Sequence, residues 1–518
     1  MTQLSDPSIL LGWARLQDID IHKSIQITKT PNAGLGIFYT GTDPLVTSED
    51  DEPTTLISVP SKVILTSENI RTFALSYGTT LLPLLQNGED EEMVSERGTI
   101  LRFLLFSLHK FAGPKLQKVA WESNCYSAYL GFMPSPSLQL TDDPQSVLRS
   151  LNITQPPPTF WTPAQINKAV GTSLYSPLSA KLRLLTSEFE KFASQWRDVF
   201  EKVDGAEEPD VEISFEEYVR ADWLVSSRVM ELPIWDEPKL GIVPIIDFAN
   251  HTNSSDVNAR YEITEDAVKL VSLPGRIASG DEVLISYGPN KGSSEILFTY
   301  GFLIDSEKAS CECVKMRVRD GGILQLVYGQ PPVAQFEVRD GEVTWECEFL
   351  WLLCVTEEDG VEVSVAQQIA GPPDVDMSIH GQTLSGVRGQ LAVEAIKEAY
   401  GNDEKMRDVL ELRRVLILEK WLSGWMEDLA RVEVREGVEA DEHITEAESA
   451  EEKDPVDGII ETLRQREERV YLLVLEELEK RKDELAQSDA VLAYLAAQTD
   501  DGEAEEMPPE TVEADELR

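Results

Sequence analysis

Two short apolar runs that end in polar tips, both within residues 241–302, constrain this chain more than anything else in it. The first, GIVPIIDFANH at 241–251, is strand-like from Ile242 to Ile246, is broken by Pro244, and closes on Asp247-Phe248-Ala249-Asn250-His251. The second, GDEVLISYGPNKGSSEILFTYGF at 280–302, has a β-branched run from Val283 to Ser286 that delivers Tyr287 and Gly288, then Glu295 to Phe298 and Tyr300-Gly301-Phe302. Polar residues that close a buried run are candidates for a site.

The spacing of apolar residues changes twice around this stretch. A short helix is expected around Ile9 to Leu16, a strand from Ile21 to Thr28, and a glycine-bearing turn at Asn32–Tyr39 that runs into a second strand. Gly34-Leu35-Gly36 allows close backbone approach, but it does not complete a dinucleotide fingerprint, because Tyr39 takes the third glycine position and a strand follows. An acidic loop, Thr47 to Pro53, separates this from a strand at Thr55–Pro60. From Ser67 the spacing turns helical: Glu96–Phe111 with Ser95 as N-cap, then Ala164–Lys168, Ser179–Phe200 and Phe215–Met230. Strands resume at 242–246, 259–264, 267–273 and 282–286, with a hairpin turn inside Glu262–Ala267 and Tyr261 on its first arm. Beyond Phe302, strand-like pieces at 315–319 and 323–328 precede helices at Gly389–Tyr400, Lys405–Val432 and Gly458–Ala497. Val434–Asp457 reads as an acidic loop, and 499–518, with nine acidic residues and one arginine, as a disordered tail.

The 518 residues exceed one ordinary domain. With 93 acidic against 46 basic residues the formal charge is −47, which disfavours nucleic acid and suits a basic protein partner, although much of the charge falls in segments where it mainly solvates. Five cysteines scattered over the chain are no disulfide framework, and Cys311-Glu312-Cys313 lacks a partner pair, so buried or semi-exposed thiols and no metal are expected. No apolar run approaches a membrane span, and the start, MTQLSDPSILLGW, lacks a basic n-region, so a soluble intracellular protein is the expectation. Serine-elbow, phosphate-loop and His-Glu-x-x-His motifs are missing from the sequence.

Asp247-x-x-Asn250-His251, followed by Ile285-Ser286-Tyr287-Gly288 and Tyr300-Gly301-Phe302, resembles the SET-domain protein lysine methyltransferases. The likeness is to the branch of the plant Rubisco large-subunit methyltransferase and the fungal ribosomal-protein lysine methyltransferases. Ala33-Gly34-Leu35-Gly36-Ile37, Leu56-Ile57-Ser58-Val59-Pro60, the PTFWTPAQI stretch at 158–166 and Trp223-Leu224-Val225-Ser226-Ser227-Arg228 are similar to further parts of that branch. The residues after His251 are Thr252-Asn253 and not Ser-Cys, so the zinc-binding cysteines of the histone-type enzymes are not implied. The resemblance implies an α+β chain: a β-rich SET fold over 1–304 with a helical insertion at about 68–232, a mostly α-helical substrate-binding domain over 305–498, and the tail.

It also implies methyl transfer from S-adenosylmethionine to a lysine ε-amine of a basic intracellular protein such as a ribosomal protein, in the nucleus or cytoplasm. A neutral lysine amine at pH 7 costs about 4.6 kcal/mol, which a dry aromatic channel beside a sulfonium would reduce. Tyr287 is the implied catalytic residue, as a neutral hydrogen-bonding group. Gly34, Leu35, Gly36, Asn250 and His251 are implied cofactor contacts, with Arg228 on the cofactor carboxylate. Tyr300 and Phe302 would line the cofactor and lysine channel, Asp247 would order the Asn-His turn, and Tyr261, eleven residues after Asn250, would line the lysine channel. Taken singly, Tyr287, Tyr300 and Phe302 also suit packing, Arg228 a helix-surface ion pair and Asp247 a turn former. A histidine methyltransferase and a non-catalytic binding module are the alternative functions.

Overall fold

The computed structural model describes residues 6–30, 34–77, 81–86, 94–109, 124–133, 157–201, 212–233, 238–252, 256–304, 311–318, 327–328, 332–366, 374–384, 387–401, 403–430 and 454–502. The chain divides into two compact units: Met1–Ala169, Leu174–Glu312 and Glu446–Leu463 form the first, and Val170–Ser173, Cys313–Thr445 and Arg464–Arg518 the second.

In the first unit, Thr55–Pro60 is central because Leu56, Ile57 and Val59 are all fully buried. It pairs antiparallel with Asp20–Ile21 on one side and with Ala267–Ser272 on the other, and Ala259–Ile263 completes a four-stranded sheet. Ile25–Lys29 and Leu35–Tyr39 form a hairpin with Ile27 opposite Ile37, both buried. Leu65–Thr66, Lys239–Ile242 and Val229–Leu232 make a three-stranded sheet in that order.

Between Thr66 and Val229 lie the helices Ser67–Tyr77, Leu81–Leu84, Glu96–Leu108, Ser127–Leu130, Pro163–Lys168, Tyr175–Glu201 and Phe215–Ser226. Ser95 caps the third of these, its hydroxyl accepting from the Gly98 amide. Phe103, Phe106, Phe192 and Trp196 are buried in the same apolar cluster as the sheet residues Leu56 and Val59, so the insertion shares one core with the strands. Helices Glu96–Leu108, Tyr175–Glu201 and Phe215–Ser226 are joined by a buried charge network. Asp222, only 1% exposed, accepts from Arg97 and, at 2.9 Å, from Lys181, while Arg97 also reaches Glu188 at 3.1 Å.

Three expectations need correction. The strand expected from Ile21 to Thr28 is two, Asp20–Ile21 and Ile25–Lys29, which pair with different partners. Phe215–Met230 is not one helix: it stops at Ser226, and Val229–Leu232 is a strand because Lys239–Ile242 offers its backbone groups a partner. The expected strand at 242–246 ends at Ile242, for reasons taken up with the site.

The second unit is helical, with Gln390–Tyr400, Glu404–Ala430, the part of Pro455–Ala486 beyond Leu463, and Asp489–Gly502. Two three-stranded sheets are also present: Cys311–Arg317, which overlaps the strand expected at 315–319, with Val333–Arg339 and Glu342–Glu346, and, unannounced by apolar spacing, Val361–Ala366, Asp374–Ile379 and Gln382–Leu384. Phe336, fully buried, meets Trp425 and Tyr471 edge-on at 6.0 and 6.1 Å. The helix expected at Gly458–Ala497 is divided at Gln487-Ser488, where the Ser488 hydroxyl accepts from the Val491 amide. The tail assignment covers 499–518, of which 499–502 are helical and 503–518 lie outside the described residues. Most of the acidic loop at Val434–Asp457 and of the strand-like piece at 323–328, together with Asn32 and Ala33, also lies outside them. No described helix is long and apolar enough to cross a membrane.

Removing Asp222 takes the carboxylate from Lys181 and leaves Arg97 with Glu188 alone. Asp222→Ala should therefore lower stability by about 3 kcal/mol in urea unfolding followed by circular dichroism; a loss under about 0.5 kcal/mol, the size of an exposed pair, would show that the network carries no load.

Candidate active site

The site begins where the strand stops. Pro244 has no N–H to give a ladder, and Ile245 sits at φ +72°, ψ −48°, a region a β-branched residue enters at a cost of about 1–3 kcal/mol. The chain leaves the sheet there, makes one tight helical turn at Ile246–Phe248, and re-enters extended backbone at Asn250–His251. That two-residue strand runs parallel to Leu284–Ile285, Asn250 opposite Leu284 and His251 opposite Ile285, so the two polar-tipped runs lie side by side.

The turn puts Asp247 inside the protein, its side chain 1% exposed. One carboxylate oxygen, Oδ2, accepts from the Tyr129 hydroxyl at 2.8 Å and from Arg228 Nη1 at 3.1 Å; Arg228 Nη1 also reaches the Asp247 carbonyl at 3.2 Å. Burial pushes the Asp247 carboxyl up from its ordinary value, and the Arg228 guanidinium and the Tyr129 hydroxyl oppose that rise. Asp247 Oδ1 and Arg228 Nε are buried and make no hydrogen bond among the described residues. The Asp247 carboxylate thus bonds the side chains of Arg228 and Tyr129.

Asn250 directs its amide at the N-terminal hairpin. Nδ2 donates to Glu282 Oε1 at 2.6 Å and to the Leu35 carbonyl at 3.3 Å. A β-carbon on Gly36 would lie 2.6 Å from Glu282 Oε1, 2.7 Å from Thr30 Cγ2 and 3.1 Å from Asn250 Nδ2, so this approach demands glycine. Gly34 is needed for a different reason: its φ of +77° closes the turn, and the Thr30 amide donates to its carbonyl at 2.8 Å. The hairpin is stitched to the second run where Val283 N donates to the Ile37 carbonyl at 2.7 Å. Asn258 ties it further, accepting from Leu284 N and donating to the Glu282 carbonyl, both at 2.9 Å.

His251, Tyr287, Tyr300 and Phe302 form one aromatic cluster. The His251 and Tyr287 rings stack with centroids 4.9 Å apart, Tyr287 and Tyr300 are 4.4 Å apart, and Phe302 lies 6.2 Å from Tyr300 and 6.4 Å from His251. The Tyr287 amide donates to His251 Nδ1 at 3.0 Å, and the same nitrogen lies 3.3 Å from the Ile285 carbonyl. The Tyr287 hydroxyl donates to the Ala249 carbonyl at 2.9 Å, leaving its oxygen to accept. Burial drives the Tyr287 phenol far above its ordinary range, so it is neutral near pH 7 and cannot act as a base. Tyr261, opposite Leu270 in the hairpin, is pushed up in the same way, first by burial and then by Tyr287 and Asp247.

The structure therefore links Arg228 to Asp247, links Leu35, Gly36 and Asn250 to one another, and groups His251, Tyr287, Tyr300 and Phe302. Sequence reasoning missed Tyr129, Asn258 and Glu282. Glu282 opens the run that delivers Tyr287 and could have been noticed as an acid at a strand start, whereas Tyr129 and Asn258 sit in no motif. No group of His, Cys, Asp and Glu among the described residues has the arrangement of a metal site, and Cys311 and Cys313 are buried.

No family model matches the sequence. A curated relative, SET domain-containing protein 8 of Schizosaccharomyces pombe, is 28% identical over 270 residues, which is 50% of this chain and 58% of the relative's length. Among solved structures, the SET domain of LSMT bound to methyllysine and AdoHcy superposes with a TM-score of 0.55 at 14% identity, covering 93% of this chain and 94% of that one. Rubisco LSMT bound to sinefungin and monomethyllysine gives 0.54 at 13% identity over 93% and 94% of the two chains. The fold of this chain is that of these SET-domain proteins.

Tyr129→Phe removes one donor from the buried Asp247 carboxylate and should cost about 1.5–3 kcal/mol near neutral pH. The folded-state Asp247 carboxyl titrates above its unfolded value, so it burdens the folded state at high pH and is relieved as pH falls through the folded value. The variant's deficit should accordingly shrink in acid. Urea unfolding of both proteins across the acidic range checks this, and a deficit that does not vary with pH would place the hydroxyl elsewhere.

Proposed function

We propose that this chain is an S-adenosylmethionine-dependent protein-lysine N-methyltransferase. The observation that carries the reading is Tyr287: a half-buried, neutral phenol whose proton is committed to the Ala249 carbonyl, and whose oxygen is left as an acceptor within the cluster of His251, Tyr300 and Phe302. An acceptor held among aromatic rings suits the N–H of a neutral amine, and aromatic walls would reduce the hydration that keeps that amine protonated. The related LSMT structures hold AdoMet or AdoHcy, and lysine or methyllysine.

The residues present fit such a cofactor. Its amino-acid end carries a carboxylate and an ammonium, which would complete the bonding of Arg228 Nε and Asp247 Oδ1. Gly34, Leu35 and Gly36 would receive this end along their backbone, Asn250 would hold it through its amide, and the backbone of His251 would meet the adenine. When bound, the cofactor supplies an electrophilic methyl group on a sulfonium. Tyr287 would accept from the amine and fix its direction of approach, Tyr300 and Phe302 would form the walls, and Tyr261 would extend them toward the entering lysine. The charge of −47 favours a basic protein as substrate, a ribosomal protein met in the nucleus or cytoplasm being one such.

Tyr287→Phe should bind S-adenosylmethionine with little change by calorimetry and lose transfer to lysine-rich acceptor proteins by at least about a hundredfold with radiolabelled cofactor. Full transfer by the variant would remove Tyr287 from the reaction.

A further inference from the structure

Four residues after Tyr287 the chain presents a lysine of its own to the same aromatic cluster. Lys291 Nζ donates to the Tyr300 hydroxyl at 3.0 Å and lies 5.0 Å from the centroid of that ring, whose centroid is in turn 4.4 Å from that of Tyr287. Elsewhere in the first unit Lys62, Lys181 and Lys239 meet carboxylates at 2.7–2.9 Å; Lys291 is held by a hydroxyl and a ring face. The backbone makes room for this. Gly288 has φ +146°, and a β-carbon there would lie 3.2–3.3 Å from Lys291 Cε, Cγ and Cδ, so the lysine stem lies across the bare α-carbon directly after Tyr287. The turn is tight enough for the Lys291 amide to approach the Gly288 carbonyl at 3.4 Å.

We infer that Lys291 is a methylation site of the chain itself, modified in cis by the same cluster. The inference rests on the methyltransferase reading above. The step balances as follows: the Lys291 ammonium gives one proton to water, and its nitrogen bonds to the methyl carbon of S-adenosylmethionine. The carbon–sulfur bond breaks, and the sulfur keeps the electron pair as a neutral thioether. Methylation keeps the cation over the Tyr300 ring but removes N–H donors, and a third methyl group would end the bond to the Tyr300 hydroxyl.

The test uses the full chain with methyl-deuterated S-adenosylmethionine and no other protein, followed by proteolysis and mass spectrometry. Deuterated methyl should appear on the peptide holding Lys291, be missing there in Lys291→Arg, and fall at least about tenfold in Tyr287→Phe. The modified fraction should not depend on protein concentration; a yield that rises with concentration would mean one copy serving another, and overturns the cis assignment. A second readout needs no turnover. An ammonium and a sulfonium repel, so Lys291→Met should tighten calorimetric binding of S-adenosylmethionine by roughly threefold, and an unchanged affinity would place Nζ away from the methyl group. If the wild-type chain binds the cofactor and labels lysate proteins while Lys291 stays unmodified, this inference fails and the methyltransferase reading stands. If it neither binds nor labels anything, both fail.

Discussion

A buried carboxylate is a demanding object, because the charge it carries into a low-dielectric interior must be met by partners brought from elsewhere. Asp247 meets this demand with Arg228, from the turn after the last insertion helix, and Tyr129, from a short helix about a hundred residues earlier. Trp13, from the first helix, stacks on Tyr129 at 5.7 Å, and Phe248 packs against the same Tyr129 ring at 5.9 Å. Four stretches of chain remote in sequence are thus located by one acid group. The helical insertion therefore does more than cover the strands, since two of the three residues in this network come from within it or from its closing turn.

The second constraint is backbone strain at Ile245. A smooth strand through 242–248 would alternate its side chains across a sheet and carry Asp247 to whichever face the register dictated. The positive φ at Ile245, with Pro244 before it, breaks that alternation. The chain can then bury Asp247 and still bring Asn250 and His251 into a parallel pair with Leu284 and Ile285. Parallel pairing ordinarily needs a long crossover, and here residues 252–283 supply it through the Ala259–Ile263 and Ala267–Ser272 hairpin.

Much of this was legible in the sequence, and the failures have physical causes. The hairpin strands, Thr55–Pro60 and the long helices announce themselves because each buries one face with a regular period. The run at 242–246 reads as a strand because its apolar residues are continuous, and burial alone does not separate a strand from a tight turn. Met230 was assigned to a helix because the pairing that makes Val229–Leu232 a strand lies in tertiary contact with Lys239–Ile242. Of the two small sheets only the strand overlapping 315–319 is legible, because strands such as Glu342–Glu346, with charged or polar residues at alternate positions and little buried surface, give weak signals. Motif resemblance points to His251, Tyr287, Tyr300 and Phe302 one by one, but not to the stacking of His251 on Tyr287, and not to Tyr129, since one aromatic in an aromatic-rich segment carries no spacing.

The way the insertion joins the sheet has a topological consequence. Leu65 and Val229 both stand opposite Ile242, one on each side of the same strand. The chain departs and returns across a gap of two strand spacings, about 10 Å. The excursion between them is therefore a closed circuit whose two ends are fixed by a strand that is not part of it. Lengthening such a circuit costs only about 0.6 kcal/mol per doubling in closure entropy, and it shifts no strand register. A change in length within the excursion need not shift the register of that strand, while Tyr129 and Arg228 tie the excursion to the site from inside.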